Sequence, residues 1–115
     1  MRAALTEISR DELKQKLDAG DEFVIVDALA PMSFAHSHLP GAINLPPAWV
    51  DDRGPQRIPD LGTELVVYCT NETCDASVQT AERLIELGYR NVRHYRGGKQ
   101  DWKDAGLPLE GGGRR

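Results

Sequence analysis

The 115-residue sequence lacks several features that would assign it to a special class of protein. It contains no run of about 18 apolar residues, so it has no candidate transmembrane helix. It has no basic surplus, since the formal net charge is −4, which argues against a nucleic-acid or anionic-membrane partner. Repeats and low-complexity segments are also missing. We therefore expect one soluble domain over residues 1–115, with its core at about 5–110 and a flexible tail at 111–115.

Cysteine is scarce, and the two cysteines, Cys69 and Cys74, stand close together. The beginning, "MRAALTEISRDELKQKL", becomes acidic and amphipathic too soon for a secretory signal, so the expected location is the cytoplasm. In such a protein, two cysteines are more typical of reactive or redox-active thiols than of a disulfide framework.

Helix and strand patterns alternate along the chain. Ser9, followed by Glu12, predicts a capping box at the start of the first helix. Apolar runs at 22–28 and 64–68 predict strands that are buried on both faces, and 91–95 predicts a further strand. Together with the helices between them, these strands predict an α/β fold with a mostly parallel central sheet and helices on both faces.

Further elements follow from local patterns. Short helices are predicted after Pro31 and after the Gly97–Gly98 pair, and a short strand is predicted within 40–46. Residues 46–63 are rich in Pro, Gly and Asp and are predicted to be the longest irregular stretch. A longer helix is predicted from Ser77 to Leu87. The apolar residues expected on the core face of that helix are Val78, Ala81, Leu84, Ile85 and Leu87.

Cys69 directly follows the apolar run "VVY" and precedes a helix that starts near Ser77. In open α/β sheets, ligands bind beyond the carboxyl ends of the strands. Free N–H groups in the first turn of the helix would lower the pKa of a nearby thiol and so favour the nucleophilic thiolate. The alternative is that Cys69 only packs, and the local pattern leaves both interpretations open.

The residues after Cys69 form a candidate loop for binding an anionic substrate. The polar side chains of Thr70, Asn71 and Thr73 could form hydrogen bonds with a bound anion. The complete candidate loop comprises Thr70, Asn71, Glu72, Thr73, Cys74, Asp75, Ala76 and Ser77.

The remaining polar residues receive structural interpretations. Asp27 is expected to fix a turn rather than to act in acid–base catalysis, and His38 to support its turn by hydrogen bonding. His36 and His94 are expected at the surface or at the edge of the sheet. The Cys-x4-Cys spacing lacks a second closely spaced pair of ligands, so neither a metal site nor a cofactor is predicted.

Three segments together resemble the single-domain rhodanese-like sulfurtransferases. They are "VDALAPMSFAHSHLPGAINLP", with its "HLPGAINLP" portion at 38–46, then "VVYCTNETCDASVQTAERLIELGYRNV", and finally "YRGGKQDWKDAGLPLE". They occur in the expected order and at the expected spacing, and the resemblance covers about residues 5–110. It implies a rhodanese-like α/β fold with the active-site cysteine after the central strand.

The resemblance also implies an activity. Cys69 would take sulfane sulfur as a persulfide from a small-molecule or protein donor, such as thiosulfate, a polysulfide or a persulfide. It would then pass the sulfur to a thiol or another thiophilic acceptor. The sequence departs from the family because no arginine follows Asp27 closely and the loop is about two residues longer. The loop also contains Glu72 and Asp75 but no cation, which lowers the expected affinity for thiosulfate.

Two alternative functions place different requirements on the loop. A cysteine phosphatase or arsenate reductase needs an arginine that holds the transferring oxyanion, and none occurs between Cys69 and Arg83. A non-catalytic rhodanese-like module could bind a partner or sense redox state through Cys69 and Cys74. Cys74 has two possible roles: it packs as a small residue, or it is the resolving thiol that forms a disulfide with Cys69. The second role is feasible because the Cα atoms of Cys69 and Cys74 could lie within the roughly 4.4–6.8 Å that a disulfide requires.

Overall fold

Five parallel strands form one sheet in the computed structural model, which describes residues 5–111. The strands are β1 (Thr6–Glu7), β2 (Val24–Asp27), β3 (Ile43–Asn44), β4 (Leu65–Tyr68) and β5 (Val92–His94). Their order across the sheet is β1-β5-β4-β2-β3, which puts β4 in the centre, and every pair is parallel. The helices are α1 (Arg10–Ala19), α2 (Pro31–His36), α3 (Val50–Arg57), α4 (Ala76–Glu86) and α5 (Gly98–Asp104). The predicted α/β fold is confirmed; the predicted tail at 111–115 lies outside the described residues, apart from Gly111.

Helices cover the sheet on both faces. One apolar cluster joins Val67 of β4 to Val50 of α3 and Leu84 of α4. The other joins Val66, the next residue of the same strand, to Leu13 of α1 and Trp102 of α5. Since neighbouring residues of a strand point to opposite faces, the continuous apolar run of β4 is required by burial on both sides.

The predicted start of α1 is confirmed. Ser9 precedes the helix in an extended conformation, and its side chain accepts a hydrogen bond from the Glu12 backbone N–H at 3.1 Å. β1 was not predicted, because two exposed residues carry no hydropathy pattern. The strand exists because its backbone pairs with β5, where Thr6 lies beside Arg93 and Glu7 beside His94.

The prediction that 46–63 is irregular is wrong. This stretch contains a 3₁₀ turn, Pro47–Trp49, followed by α3. Val50, Gly54 and Ile58 recur every four residues and are buried, which is the pattern of a helix that packs along one face. The Pro, Gly and Asp residues in the stretch conceal that pattern from a reading of composition alone.

The predicted core face of α4 is partly wrong. Ala81 and Leu84 are fully buried as expected, but Ile85 is 40% exposed. Two hydroxyl residues, Ser77 and Thr80, occupy core positions instead. Thr80 can do so because its hydroxyl donates a hydrogen bond to the Leu45 carbonyl at 3.0 Å, which satisfies the polar group away from water.

A buried polar network joins the ends of the neighbouring strands β2 and β4. Tyr68 ends β4 and lies beside Asp27, which ends β2. The Tyr68 hydroxyl donates to Asp27 Oδ2 at 2.6 Å and accepts from the Leu39 N–H at 3.0 Å. Asp27 Oδ1 accepts from the Leu29 N–H at 2.8 Å, so the expectation that Asp27 fixes a turn is confirmed. Burial raises the pKa of Asp27, and the hydrogen bond from Tyr68 opposes that rise.

This network predicts a pH-dependent cost for the substitution Tyr68→Phe. An aspartate whose pKa is raised in the folded state stabilises the fold fully below its ordinary pKa near 4, and it loses this contribution as the pH rises through the folded-state pKa. Removing the hydroxyl raises the folded-state pKa of Asp27 further. Tyr68→Phe should therefore lower the free energy of unfolding by about 2 kcal/mol more at pH 7 than at pH 4.

Urea denaturation at both pH values measures this difference. The matched control is Tyr89→Phe, because the buried Tyr89 hydroxyl donates to the neutral Ile58 carbonyl. We expect the control to lose about 1 kcal/mol at both pH values. An equal pH dependence in the two variants would contradict the assignment of a carboxylate partner to Tyr68.

Candidate active site

Cys69 lies at the carboxyl end of the central strand β4. It is 1% exposed and packs in the apolar cluster that contains α3 and α4. Its sulfur is joined to Cys74 in a disulfide, and the two Cα atoms are 6.4 Å apart. The structure is therefore that of the oxidised form, in which Cys69 is covered and carries no free thiol.

The loop folds back on itself through the side chain of Asn71. Asn71 Oδ1 accepts hydrogen bonds from the Thr73 N–H at 3.1 Å and from the Thr73 hydroxyl at 2.8 Å. The Asn71 carbonyl also accepts from the Cys74 N–H at 3.1 Å. These bonds bring Cys74 back towards Cys69. Asn71 and Thr73 thus pair with each other, whereas Thr70 faces a neighbouring cavity.

The acidic residues of the loop lie at the surface. Glu72 is exposed. Asp75 is also exposed, and its Oδ2 accepts a hydrogen bond from Gln79 Nε2 at 3.0 Å, one turn into α4. Ala76 begins α4, and Ser77, the next residue, is buried. The candidate loop therefore divides into an exposed acidic part and a buried end at Ser77.

Ser77 connects Cys69 to a buried histidine that was assigned differently from the sequence. Cys69 Sγ lies 3.2 Å from Ser77 Oγ, and Ser77 Oγ lies 2.8 Å from His94 Nε2. The expectation that His94 lies at the surface or the sheet edge is wrong, because β1 covers β5 on its outer side and His94 is 8% exposed. Burial lowers the pKa of its imidazole. The alternation of Val92, Arg93 and His94 was the available signal, since it puts His94 on the buried face with Val92.

α5 contacts the loop through its first backbone amides. The Lys99 N–H donates to the Cys69 carbonyl and the Gln100 N–H donates to the Thr70 carbonyl, both at 2.8 Å. Gly98 makes this approach feasible, because a Cβ atom there would lie 2.5 Å from the Cys69 carbonyl oxygen and 2.8 Å from the Thr70 carbonyl carbon. Its φ of +68° also favours glycine.

A cavity of about 460 Å³ lies beside the start of the loop. Thr70 lines it together with Lys99 and Lys103 of α5. Lys99 Nζ donates to the Ser37 carbonyl at 2.7 Å, and burial lowers the pKa of this ammonium group. Cations therefore do lie near the loop, although the loop itself contains none. The loop sequence alone does not reveal these cations, because α5 brings them from about 30 residues further along the chain.

The other predicted residues lie away from the cysteine pair. His38 Nδ1 is 2.7 Å from the Phe34 carbonyl oxygen, and the two rings are stacked with centroids 3.9 Å apart. The expectation that His38 supports its turn is confirmed, and His36 is exposed as expected. Within residues 5–111, no three His, Cys, Asp or Glu side chains are grouped so that they could hold a metal ion. No helix in the same range is long and apolar enough to cross a membrane.

This chain is similar in sequence and in fold to known proteins that contain a rhodanese-like domain or are sulfurtransferases. The sequence model of the rhodanese-like domain matches residues 9–105. A sulfurtransferase of Allochromatium vinosum is 30% identical over 105 residues, which is 91% of this chain and 94% of that protein. An HTH-type transcriptional regulator of Mycobacterium tuberculosis is 33% identical over 91% of this chain, and the chain spans only 45% of the regulator's length. The crystal structure of BH2092 from Bacillus halodurans has a TM-score of 0.86 at 21% identity, covering 93% of this chain and 77% of that one.

The close approach of α5 predicts that Gly98→Ala is much more costly than an ordinary glycine substitution. The new Cβ atom would collide with backbone atoms of Cys69 and Thr70 and would also occupy a left-handed conformation. We expect a loss of about 3 kcal/mol in the free energy of unfolding, measured by urea denaturation.

The matched control is Gly106→Ala. Gly106 has a φ of +78°, but a Cβ atom there would meet nothing within 4 Å. Gly106→Ala should therefore lower the free energy of unfolding only by the cost of the left-handed conformation, about 1 kcal/mol. If the two variants lose the same stability, then the contact between α5 and the loop does not constrain the site.

Proposed function

The chain belongs to the rhodanese-like domain family, and from this premise we propose that it is a sulfurtransferase in which Cys69 carries the transferred sulfur. The donor is a compound with sulfane sulfur, such as thiosulfate, a polysulfide or a persulfide. The acceptor is a thiol or another thiophile. The observation that carries the proposal is the position of Cys69, which follows the central strand and whose sulfur lies 3.2 Å from the Ser77 hydroxyl in the first turn of α4.

The proposed reaction has two displacement steps. The Cys69 thiolate attacks the sulfane sulfur of the donor, forming a Cys69 persulfide. The bond between that sulfur and the rest of the donor breaks, and the donor leaves with the electron pair, as sulfite in the case of thiosulfate. An acceptor thiolate then attacks the outer sulfur of the persulfide. The persulfide S–S bond breaks, and Cys69 leaves as a thiolate ready for the next cycle.

The oxidised form must be reduced before this cycle starts. An external thiol or dithiol would attack the disulfide at the sulfur of Cys74. This sulfur is the more accessible of the two, because Cys69 is 1% exposed whereas Cys74 is only partly buried. Attack there forms a mixed disulfide at Cys74 and releases Cys69 as the thiolate. A second thiol then frees Cys74, and two reducing equivalents are consumed in total.

We further propose that Cys74 is the resolving thiol of Cys69. When no acceptor is present, the Cys74 thiolate attacks the inner sulfur of the Cys69 persulfide, and sulfide leaves with the electron pair of the broken S–S bond. With a Cys69 sulfenic acid, the same attack releases water once the leaving hydroxide is protonated. The Cα separation of 6.4 Å and the turn around Asn71 support this proposal, since both bring the two residues within disulfide range.

A thiol redox sensor is the second candidate, and the disulfide is the observation that favours it. A sensor would form the Cys69–Cys74 bond with peroxide but would transfer no sulfur. Intact-mass measurement of the reduced Cys74→Ser variant after incubation with a sulfane donor separates the two functions. Without the resolving thiol, a sulfurtransferase retains the added sulfur atom, whereas a sensor gains none.

The proposed function predicts that Cys69→Ser loses persulfide formation and turnover with every donor while it remains folded. The hydroxyl of serine is a much weaker nucleophile than a thiolate, and the substitution preserves most of the side-chain volume. The measurements are intact mass after treatment with thiosulfate, polysulfide or a persulfide donor, and far-UV circular dichroism. Retained sulfur transfer by Cys69→Ser would contradict the proposed site.

The resolving role of Cys74 is tested by Cys74→Ser, which is also the matched control for Cys69→Ser. Since Cys69 keeps its thiol, the variant should still form the persulfide. It should release sulfide more slowly without acceptor, by about tenfold or more, and should over-oxidise more readily in mild peroxide. Peptide mapping follows both reactions. If Cys74→Ser equals the wild type in both rates, Cys74 has no resolving role.

A further inference from the structure

We propose that Ser77 and His94 form a buried proton relay that takes the proton of the Cys69 thiol and stabilises the thiolate. The proposal rests on the proposed function in one respect, namely that Cys69 acts as a nucleophile. Ser77 and His94 would be positioning residues that act through the sulfur, without contact with the donor or acceptor.

The geometry of three buried groups supports the relay. Cys69 Sγ, Ser77 Oγ and His94 Nε2 follow one another at 3.2 Å and 2.8 Å, and all three residues are at most 8% exposed. They come from the end of β4, the first turn of α4 and the end of β5. Three separate elements therefore bring these groups together in the interior.

A comparison within α4 indicates that Ser77 has more than a packing role. Thr80 lies one turn further along the same buried face, and its hydroxyl donates to a backbone carbonyl, which is the usual way to satisfy such a group. Ser77 instead lies between a sulfur and an imidazole nitrogen. A hydroxyl is suited to this place because it can donate one hydrogen bond and accept another at the same time.

The disulfide form shows the three groups in this order, and in the reduced protein the same order accommodates both protonation states of Cys69. In the thiol form, the Cys69 S–H donates to Ser77 Oγ, and the Ser77 O–H donates to His94 Nε2. On ionisation, the thiol proton passes to Ser77 Oγ while the proton of Ser77 passes to His94 Nε2. The Ser77 O–H then donates to the thiolate, and the His94 Nε2–H donates to Ser77 Oγ. One proton has moved from sulfur to nitrogen, and the number of hydrogen bonds is unchanged.

The surroundings of His94 favour an imidazole that is neutral before it accepts this proton. Burial lowers its pKa, and two opposite charges act on it from outside. Glu7 of β1 lies beside it in the sheet, and Arg96 follows β5; they form an ion pair with each other at 3.4 Å. From the other side, β4 contributes only the apolar Val67. On the loop side of Cys69, the nearby charged groups are Glu72, Asp75 and Lys99, which belong to the exposed part of the loop and to α5.

The test measures the rate of alkylation of Cys69 by iodoacetamide as a function of pH. The full chain carrying Cys74→Ser is the reference, because Cys69 is then the only thiol. The midpoint of the pH profile reports the pKa of the thiol, and the limiting rate at high pH reports access to the sulfur. These two quantities separate a change in thiolate stability from a change in structure.

We expect Ser77→Ala to raise the midpoint by about one pH unit, which is about a tenfold lower rate at pH 7, because the thiolate loses a hydrogen-bond donor. Ser77→Thr should restore most of the shift, since it keeps the hydroxyl. His94→Leu should raise the midpoint by a smaller amount. The double variant of Ser77→Ala with His94→Leu should shift no further than Ser77→Ala alone, because His94 acts only through Ser77.

The matched control is Thr80→Ala, which removes a buried hydroxyl from the same face of α4. It should lower the thermal unfolding temperature and leave the midpoint unchanged. The relay is overturned if Ser77→Ala and His94→Leu leave the midpoint in place, if Thr80→Ala shifts it equally, or if the two relay substitutions are additive. Alkylation needs no sulfur donor, so a shifted profile in a protein that never forms a persulfide would reject the proposed function and retain the relay.

Discussion

The contact between the first amides of α5 and the carbonyl groups of Cys69 and Thr70 constrains the whole candidate site. The two bonds fix the direction in which the chain leaves β4, and so they decide where the sulfur and the loop can lie. They exist only because residue 98 has no Cβ atom. The same helix carries Lys99 and Lys103 to the cavity beside Thr70, so one backbone contact sets both the position of the cysteine and the charge next to it.

Much of the fold could be predicted from local patterns, because each pattern reports a local physical requirement. The apolar run before Cys69 predicts a strand covered on both faces, and Ser9 predicts a helix start, since each signal depends on neighbouring residues alone. β1 and α3 could not be predicted in this way. β1 is a strand only through its partner β5, and the helical spacing of Val50, Gly54 and Ile58 is masked by residues that are usual in loops.

Only those residues of the candidate site that are contiguous in the sequence were predicted. The loop and its two cysteines are contiguous, so they could be found by inspection. Ser77 was included as the last residue of that loop, but its partner His94 was assigned to the surface or the sheet edge. The burial preference of histidine is intermediate, so the residue type alone does not reveal that His94 is buried. A buried polar group is tolerated when a partner satisfies it, and that partner comes from another element of the fold. Lys99 and Lys103 were missed for the same reason.

The short separation between Cys69 and Cys74 has a thermodynamic consequence. The entropy that a cross-link removes from an unfolded chain grows with the logarithm of the ring it closes, and this ring spans only the five-residue separation between the two cysteines. It therefore restricts the unfolded ensemble less than a bridge between distant strands would. One end of the ring is anchored in the interior, because Cys69 belongs to the apolar cluster beside α3 and α4 and Cys74 packs against it, whereas the other cluster contains neither cysteine. Reduction of this pair consequently returns little conformational entropy to the unfolded chain, so the disulfide can open and close with a small effect on the free energy of unfolding.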